Sequence, residues 1–459
     1  MIAARRLRYD RAMAIFPGRA LALALLLAGC GDGGGDDELV PGPCTGYDCK
    51  VVDCGAQQRG PTAIRGTVFA PNGTLPLRGV TVYVPGEPPG ALPERLPCAR
   101  CKHEAPASAV SMALSGETGG FVLFDAPAGD DIPLVIATGK WRRQIRIPHV
   151  EACADTAVAA EDTRLPRDRT EGDLPRIALT TGREDALECL LRKLGVADAE
   201  VTTDTDGGHV HLFAGTGGLQ SFAGGQPFPS ATTLWMSAPK LGTYDLVLLS
   251  CEGAQNAATK PQPALDAMKA YADGGGRVLA SHWHNIWLAG ASGGPTQPAW
   301  SSIATWSNSN VDPGNPILID QATSPLGPPL ATWMVNVKGT GSAAETGVGP
   351  TTVQGQLSLD TTTRYSLAKA IDPAKAERRL YTSGAAARPQ MFEFTTPVEQ
   401  PPNAQCGKVL FTDVHVPGAP LAGAYPDACS GTALTPQEKA LAFSFFELGT
   451  CIRDYSLGP

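Results

Sequence analysis

The stretch from Tyr244 to Trp287 constrains this chain more than any other. Asp245 is followed by Leu246-Val247-Leu248-Leu249, an uninterrupted apolar run that reads as a strand buried on both faces. Leu265, Met268 and Ala272 recur at helical spacing, and Asp273-Gly274-Gly275-Gly276 tolerates positive φ where that helix must stop. Arg277-Val278-Leu279-Ala280 is the next strand. Strand, helix and strand of these lengths predict a right-handed βαβ crossover and two parallel strands. Cys251, Glu252, His282 and His284 then emerge at the carboxyl edge of one sheet, where open α/β sheets place their ligand crevice.

The N-terminus carries an address. Arg5, Arg6, Arg8, Arg11 and Arg19 precede the short apolar run Leu21 to Leu27, too short for a spanning helix of about 20 residues. Leu27-Ala28-Gly29-Cys30 resembles a bacterial lipobox, which implies a signal peptide over residues 1–29, cleavage before Cys30 and lipid (palmitate) on that residue. Residues 30–60 form a Gly/Asp/Cys-rich tether. The expected partner is the membrane, reached through the anchor, with the outer membrane as location because Gly31 does not resemble an inner-membrane retention signal. A net charge of −8 with no basic stripe argues against nucleic acid.

Of 12 cysteines, Cys30 is taken by lipid, so 11 remain and one is left over from pairing. An exported chain should oxidise the rest. Cys98 and Cys101 have the Cys-x-x-Cys spacing but lack a second close pair, so a disulfide is expected there rather than zinc. Cys153 is a further candidate partner for these two. Cys406 precedes a late strand and Cys451 ends the closing helix that runs back beside it, so these two are expected to be bonded.

Residues 61–155 read as a small all-β sandwich. Ile64 to Phe69, Val80 to Val84, Gly120 to Phe124, Leu134 to Ala137 and Gln144 to Ile147 are short strands separated by turn residues such as Asn72-Gly73. The pieces Ile64-Arg65-Gly66-Thr67-Val68, Gly79-Val80-Thr81-Val82 and Glu117-Thr118-Gly119-Gly120-Phe121 resemble the carboxypeptidase regulatory-like, or transthyretin-like, domain, which implies a non-catalytic spacer. Lys140-Trp141-Arg142-Arg143 reads as a charged strand edge that blocks sheet-to-sheet association, or as a stacking platform for an acidic glycan.

A linker over 156–173 leads to an α/β unit over 174–456, interrupted by β-rich insertions at about 290–400. Leu187, Leu190, Leu191 and Leu194 share a helical face, with Glu184 and Asp185 expected in its first turn. His209-Val210-His211 is expected on a surface strand, with a metal half-site as the other reading. Trp300, Trp306 and Trp333 are expected to anchor the insertion's own packing. Gly407 to His415 is the late strand, and Thr435, Pro436 and Glu438 open a capped helix with Leu441, Phe445 and Leu448 on its buried face.

Tyr244 to Gly253, Gly275 to His284 and Gly407 to His415 resemble the oxyanion strand, the strand into the nucleophile elbow and the late histidine strand of the class I glutamine amidotransferase-like superfamily, above all its ThuA-like branch. The resemblance implies a flavodoxin-like parallel sheet. It also exposes a departure, since Ser281-His282-Trp283 stands where glutaminases need Gly-x-Cys-x-Gly, and His415 is followed by Val416-Pro417 rather than by a His-x-Glu pair. The whole chain is similar to a group of uncharacterised Gram-negative envelope lipoproteins.

These residues support a non-catalytic binding or structural module first, with a glycan, peptide or protein as ligand, Trp283, His284 and Trp287 on the crevice wall, and no cofactor. The alternative is a hydrolase using Cys251 as nucleophile, His282 or His415 as base and Glu252 to orient it, or a metal site built from His282, His284 and Glu252 or His415. Parallel strands about 4.8 Å apart should bring Cys251, His282 and His415 to one pocket.

Overall fold

The computed structural model describes residues 46–55, 58–94, 98, 109–339, 355–359, 365–418 and 422–452. The lipobox with Cys30, and also Cys44 and Cys101, lie outside the described residues. No described helix is long and apolar enough to cross a membrane.

Seven strands form the first part: β1 (Ala63–Thr67), β2 (Thr81–Pro85), β3 (Ala109–Leu114), β4 (Gly120–Phe124), β5 (Gly129–Thr138), β6 (Trp141–Val150) and β7 (Asp155–Ala157). They make two sheets, ordered β4-β1-β7 and β3-β2-β5-β6. The alternation read from the sequence decides which side chains face inward: Val82, Val84, Leu123, Leu134 and Ile136 are all buried.

Twelve more strands follow: β8 (Ile177–Thr180), β9 (Val201–Thr202), β10 (Val210–Phe213), β11 (Leu246–Leu249), β12 (Arg277–Ser281), β13 (Ala304–Trp306), β14 (Ile317–Ile319), β15 (Gln356–Leu357), β16 (Ala368–Ile371), β17 (Ala376–Thr382), β18 (Pro389–Thr396) and β19 (Gly407–Thr412). Ten of them build one sheet, ordered β15-β14-β17-β18-β19-β12-β11-β8-β10-β9. From β19 to β9 every pairing is parallel. From β19 to β15 every pairing is antiparallel, so the insertion extends the central sheet as a wing.

The strand–helix–strand unit is β11, helix Gln262–Asp273 and β12, with Leu246 opposite Arg277. Leu265, Met268 and Ala272 are buried, and Gly275 at φ 104° lies in the turn after Asp273. The closing helix Pro436–Leu448 has the reciprocal capping box of Thr435 and Glu438.

One apolar core runs from Val82 and Leu123 in the small sheets, through Leu165 and Leu174, to Leu179, Leu248 and Leu410 on one face of the large sheet. The described residues from 46 to 452 accordingly form one compact unit. The β5–β6 hairpin reaches into this junction. Trp141 is buried against Phe446 at 6.1 Å, Lys140 Nζ pairs with Asp245 Oδ1 at 2.7 Å, and Arg142 Nε donates to Asp173 Oδ2 at 2.8 Å. The run does lie on an edge strand, since β6 ends its sheet, but it is not a glycan platform, because Lys140, Trp141 and Arg142 are consumed in joining two layers.

The tryptophans of the insertion also pack outward. Trp306 lies 4.8 Å from Phe411 of β19, while Trp333 contacts Phe443 and donates to the Pro76 carbonyl at 2.9 Å. Trp300 stays local, against Phe394.

Disulfide pairing departs from the sequence reading. Cys98 bonds Cys406, Cys54 bonds Cys153, and Cys189 bonds Cys429. Cys406 therefore does not bond Cys451, Cys98 does not bond Cys101, and Cys153 is not the partner of the insertion cysteines. The physical reason is proximity across layers: the continuous core brings the insertion between β2 and β3 to the start of β19. Cys49 and Cys451 are also disulfide-bonded, whereas Cys251 is a buried free thiol.

Candidate functional site

The parallel register decides what meets at the carboxyl edge. Leu249 lies opposite Ala280, and Ser281 opposite Thr412, so one further step brings His282 alongside Asp413. β12 ends at Ser281 and the chain turns into a 3-10 helix over His282–Asn285. His282 takes the turn itself, at φ 45°, a left-handed conformation costly for a residue with a Cβ.

Its ring is held at both nitrogens. Nδ1 lies 2.7 Å from Asp413 Oδ1, and Nε2 lies 2.8 Å from Asn310 Oδ1. Asp413 is anchored in turn, since its Oδ2 accepts the backbone N–H groups of Leu367 at 2.9 Å and Ala368 at 3.2 Å. His415 lies 4.9 Å from His282, ring to ring, and Tyr365 touches both rings, at 5.6 and 5.8 Å. His282 is 1% exposed and His415 fully buried, while Asn310 is exposed and Tyr365 half-buried, so the two imidazoles lie beneath a rim that reaches the surface.

Cys251 sits beside this cluster but does not join it. The backbone N–H groups of Trp283 and Gly253 point at its sulfur, yet complete burial pushes the thiol pKa far upward, against a thiolate. Gly182 packs so closely above it that a Cβ there would stand 2.4 Å from the Cys251 carbonyl oxygen.

Glu252 is committed elsewhere. Lys260 forms a buried ion pair with it, and its Oε1 accepts the Thr216 N–H at 2.7 Å. Burial opposes its charge, but the Lys260 charge and the Lys260 and Thr216 hydrogen bonds outweigh that and hold its pKa below the ordinary value. It cannot orient His282.

His284 turns away from His282 as well. Its Nε2 donates to the Ser250 carbonyl at 3.0 Å and its Nδ1 accepts from Trp287 Nε1 at 3.1 Å. Burial and the Lys260 charge hold its pKa at about 3, so it is neutral. Trp287 is buried against Trp235 at 5.7 Å and lines no open crevice, whereas Trp283 is half-buried and edges the His282 ring at 5.4 Å. His282, His284 and Glu252 thus fail to converge as metal ligands, because the chain turns at His282 and sends alternate side chains apart. Among the described residues no group of three or more His, Cys, Asp or Glu side chains could hold a metal.

The His209-Val210-His211 stretch is not a surface strand. β10 lies inside the sheet, His211 is bound by the Tyr244 hydroxyl at 2.8 Å and the Gly208 carbonyl at 2.9 Å, and His209 meets the Leu174 carbonyl at 2.9 Å.

Sequence reasoning missed Asp413, Asn310 and Tyr365. Asp413 was legible in principle, since it stands two residues before His415 and so shares its strand face. Asn310 and Tyr365 come from loops of the insertion, where no periodicity marks an inward side chain. Asp185 was also misplaced: the helix begins at Leu187, and Asp185 instead accepts the Val416 N–H at 2.8 Å.

No protein-family model matches the chain, and no curated protein matches it. Among solved structures, a putative ThuA-like protein from Bacteroides uniformis ATCC 8492 is similar at 12% identity, over 59% of this chain and 90% of that one, with a TM-score of 0.27. A mutant type II cohesin–X-dockerin complex from Acetivibrio cellulolyticus is similar at 15% identity, over 32% of this chain and 78% of that one, with a TM-score of 0.16. TM-scores this low carry no argument about the function of this chain.

Proposed function

We propose that this chain is a cell-envelope lipoprotein, lipid-anchored at Cys30 in the outer membrane, and that its α/β unit is a non-catalytic binding or structural module. In this reading the β layer is a transthyretin-like spacer and the α/β unit is amidotransferase-like, of the ThuA-like kind, without the glutaminase residues. Its ligand is a glycan, peptide or protein.

One observation carries the loss of catalysis. The elbow position holds His282, with both ring nitrogens occupied by Asp413 and Asn310 and 1% of the residue exposed. A base must reach its substrate within about 3 Å, directly or through one water. Cys251 is no substitute, being buried with a raised pKa, and Glu252 is neutralised by Lys260.

The experiment is hydrolysis of glutamine, ester and peptide substrates by the full chain, alongside folded Cys251→Ser and His282→Gln variants. Equal background rates are expected from all three. A rate that either substitution abolishes would overturn the reading. Anchoring is tested separately: Cys30→Ser should move the protein from the detergent phase to the aqueous phase, and retention of a lipid-modified species would refute it.

A further inference from the structure

The two contacts that hold the His282 ring differ in kind. On the inner side Asp413 is buried and fixed by the Leu367 and Ala368 N–H groups. On the outer side the ring nitrogen Nε2 meets Asn310, which is exposed. Asn308 and Ser309 beside it are exposed as well, and among the described residues no backbone hydrogen bond is made by 308, 309 or 310.

These three residues form a short arch pinned at its ends. The Ser307 N–H donates to the Leu367 carbonyl at 2.7 Å, and the Val311 N–H to the Ser366 carbonyl at 3.2 Å. Arg388 Nη1 adds a bond to the Ser307 hydroxyl at 2.8 Å. The arch is therefore fastened to the segment that clamps Asp413, while the residues over the ring carry no fastening of their own. Trp283 and Tyr365, each half-buried, flank the ring at 5.4 and 5.6 Å. His282 also bears the left-handed backbone at φ 45°, and such strain gathers at ligand clamps and switch regions.

We propose that Asn310 is a displaceable latch over His282. Closed, its amide covers Nε2; open, it leaves an imidazole facing the rim, with Asp413 still holding Nδ1. Swinging one exposed side chain gives up one hydrogen bond and moves no packed residue, so the two forms differ in population by a factor on the order of ten. Any ligand that reaches the ring must replace the bond that the amide gives up. Opening uncovers a hydrogen-bonding ring and no nucleophile, because Cys251 stays buried. The inference deepens the binding-module reading by giving entry to its site, and it rests on that reading only for the ligand. A chemical probe of the ring needs no ligand, so latch and module can fail separately.

The test is carbethoxylation of the full chain by diethylpyrocarbonate, with each histidine followed by peptide mass spectrometry. N-acetylhistidine amide in the same sample is the reference for an open ring, and buried His284 for a closed one. In the parent, His282 should react more slowly than the open reference by about tenfold or more. Asn310→Ala should raise the His282 rate by about tenfold, with His284 and thermal unfolding unchanged. Asn310→Asp keeps an oxygen in place and adds a negative charge that favours the unreactive imidazolium, so it should stay slow. A parent His282 as reactive as the open reference overturns the latch, as does an Asn310→Ala rate within about twofold of the parent. So does an Asn310→Asp rate equal to that of Asn310→Ala, or a loss of thermal stability in Asn310→Ala, which would make the residue a structural support.

Discussion

Glu188, on the helix Leu187–Lys193, is 2% exposed, and its Oε2 has no hydrogen-bond partner. Burial pushes its pKa up to about 8, and the neighbouring Asp185 up to about 7. Both values exceed those of the unfolded chain, so the folded state holds more protons across the interval between. The stability they contribute is complete below the unfolded carboxyl range and is lost as pH rises through about 7 to 8. Thermal unfolding of Glu188→Gln against the parent should show the variant more stable at pH 9, by on the order of 2 kcal/mol, with the advantage vanishing towards pH 5. A pH-independent difference would refute this account. The Glu252–Lys260 pair makes the opposite kind of prediction. Removing one partner leaves a buried charge, so Lys260→Met should cost roughly 3–5 kcal/mol in urea unfolding, and Lys260→Met with Glu252→Gln should recover part of that.

Among elements, the β5–β6 hairpin is one place where the two layers meet closely. Gly139, at φ 54°, sits at its tip, and a Cβ there would stand 2.2 Å from the Gly449 carbonyl oxygen. Gly139→Ala should therefore destabilise by about 2–4 kcal/mol in chemical denaturation, from strain and displacement together. An effect below about 0.5 kcal/mol would mean that the tip is not seated against the end of the closing helix. The same hairpin shows what the sequence could and could not reveal. Its strands were legible from alternation, as were β11, the helix after it and β12 from periodicity. The use of Lys140, Trp141 and Arg142 was not, because a charged run looks alike whether it faces water or an Asp on another layer. Asp413 lay inside a stretch recognised as a strand, yet its bond to His282 follows from the β12–β19 register, which one strand read alone does not contain.

For the whole molecule, the disulfides decide more than the domain pattern. Cys98 and Cys406, 308 positions apart, join the β-rich first part to the late strand. Peptide mapping under non-reducing conditions should recover that pair, and replacing both by serine should cost roughly 2–5 kcal/mol. A Cys406–Cys451 peptide would overturn the pairing. The separations also differ widely, at 99 for Cys54–Cys153, 240 for Cys189–Cys429 and 308 for Cys98–Cys406. During synthesis Cys54 meets its partner early, while Cys98 must wait for most of the chain to emerge. Any molecule cut short before Cys406 therefore carries at Cys98, an exposed position, a thiol with no native partner.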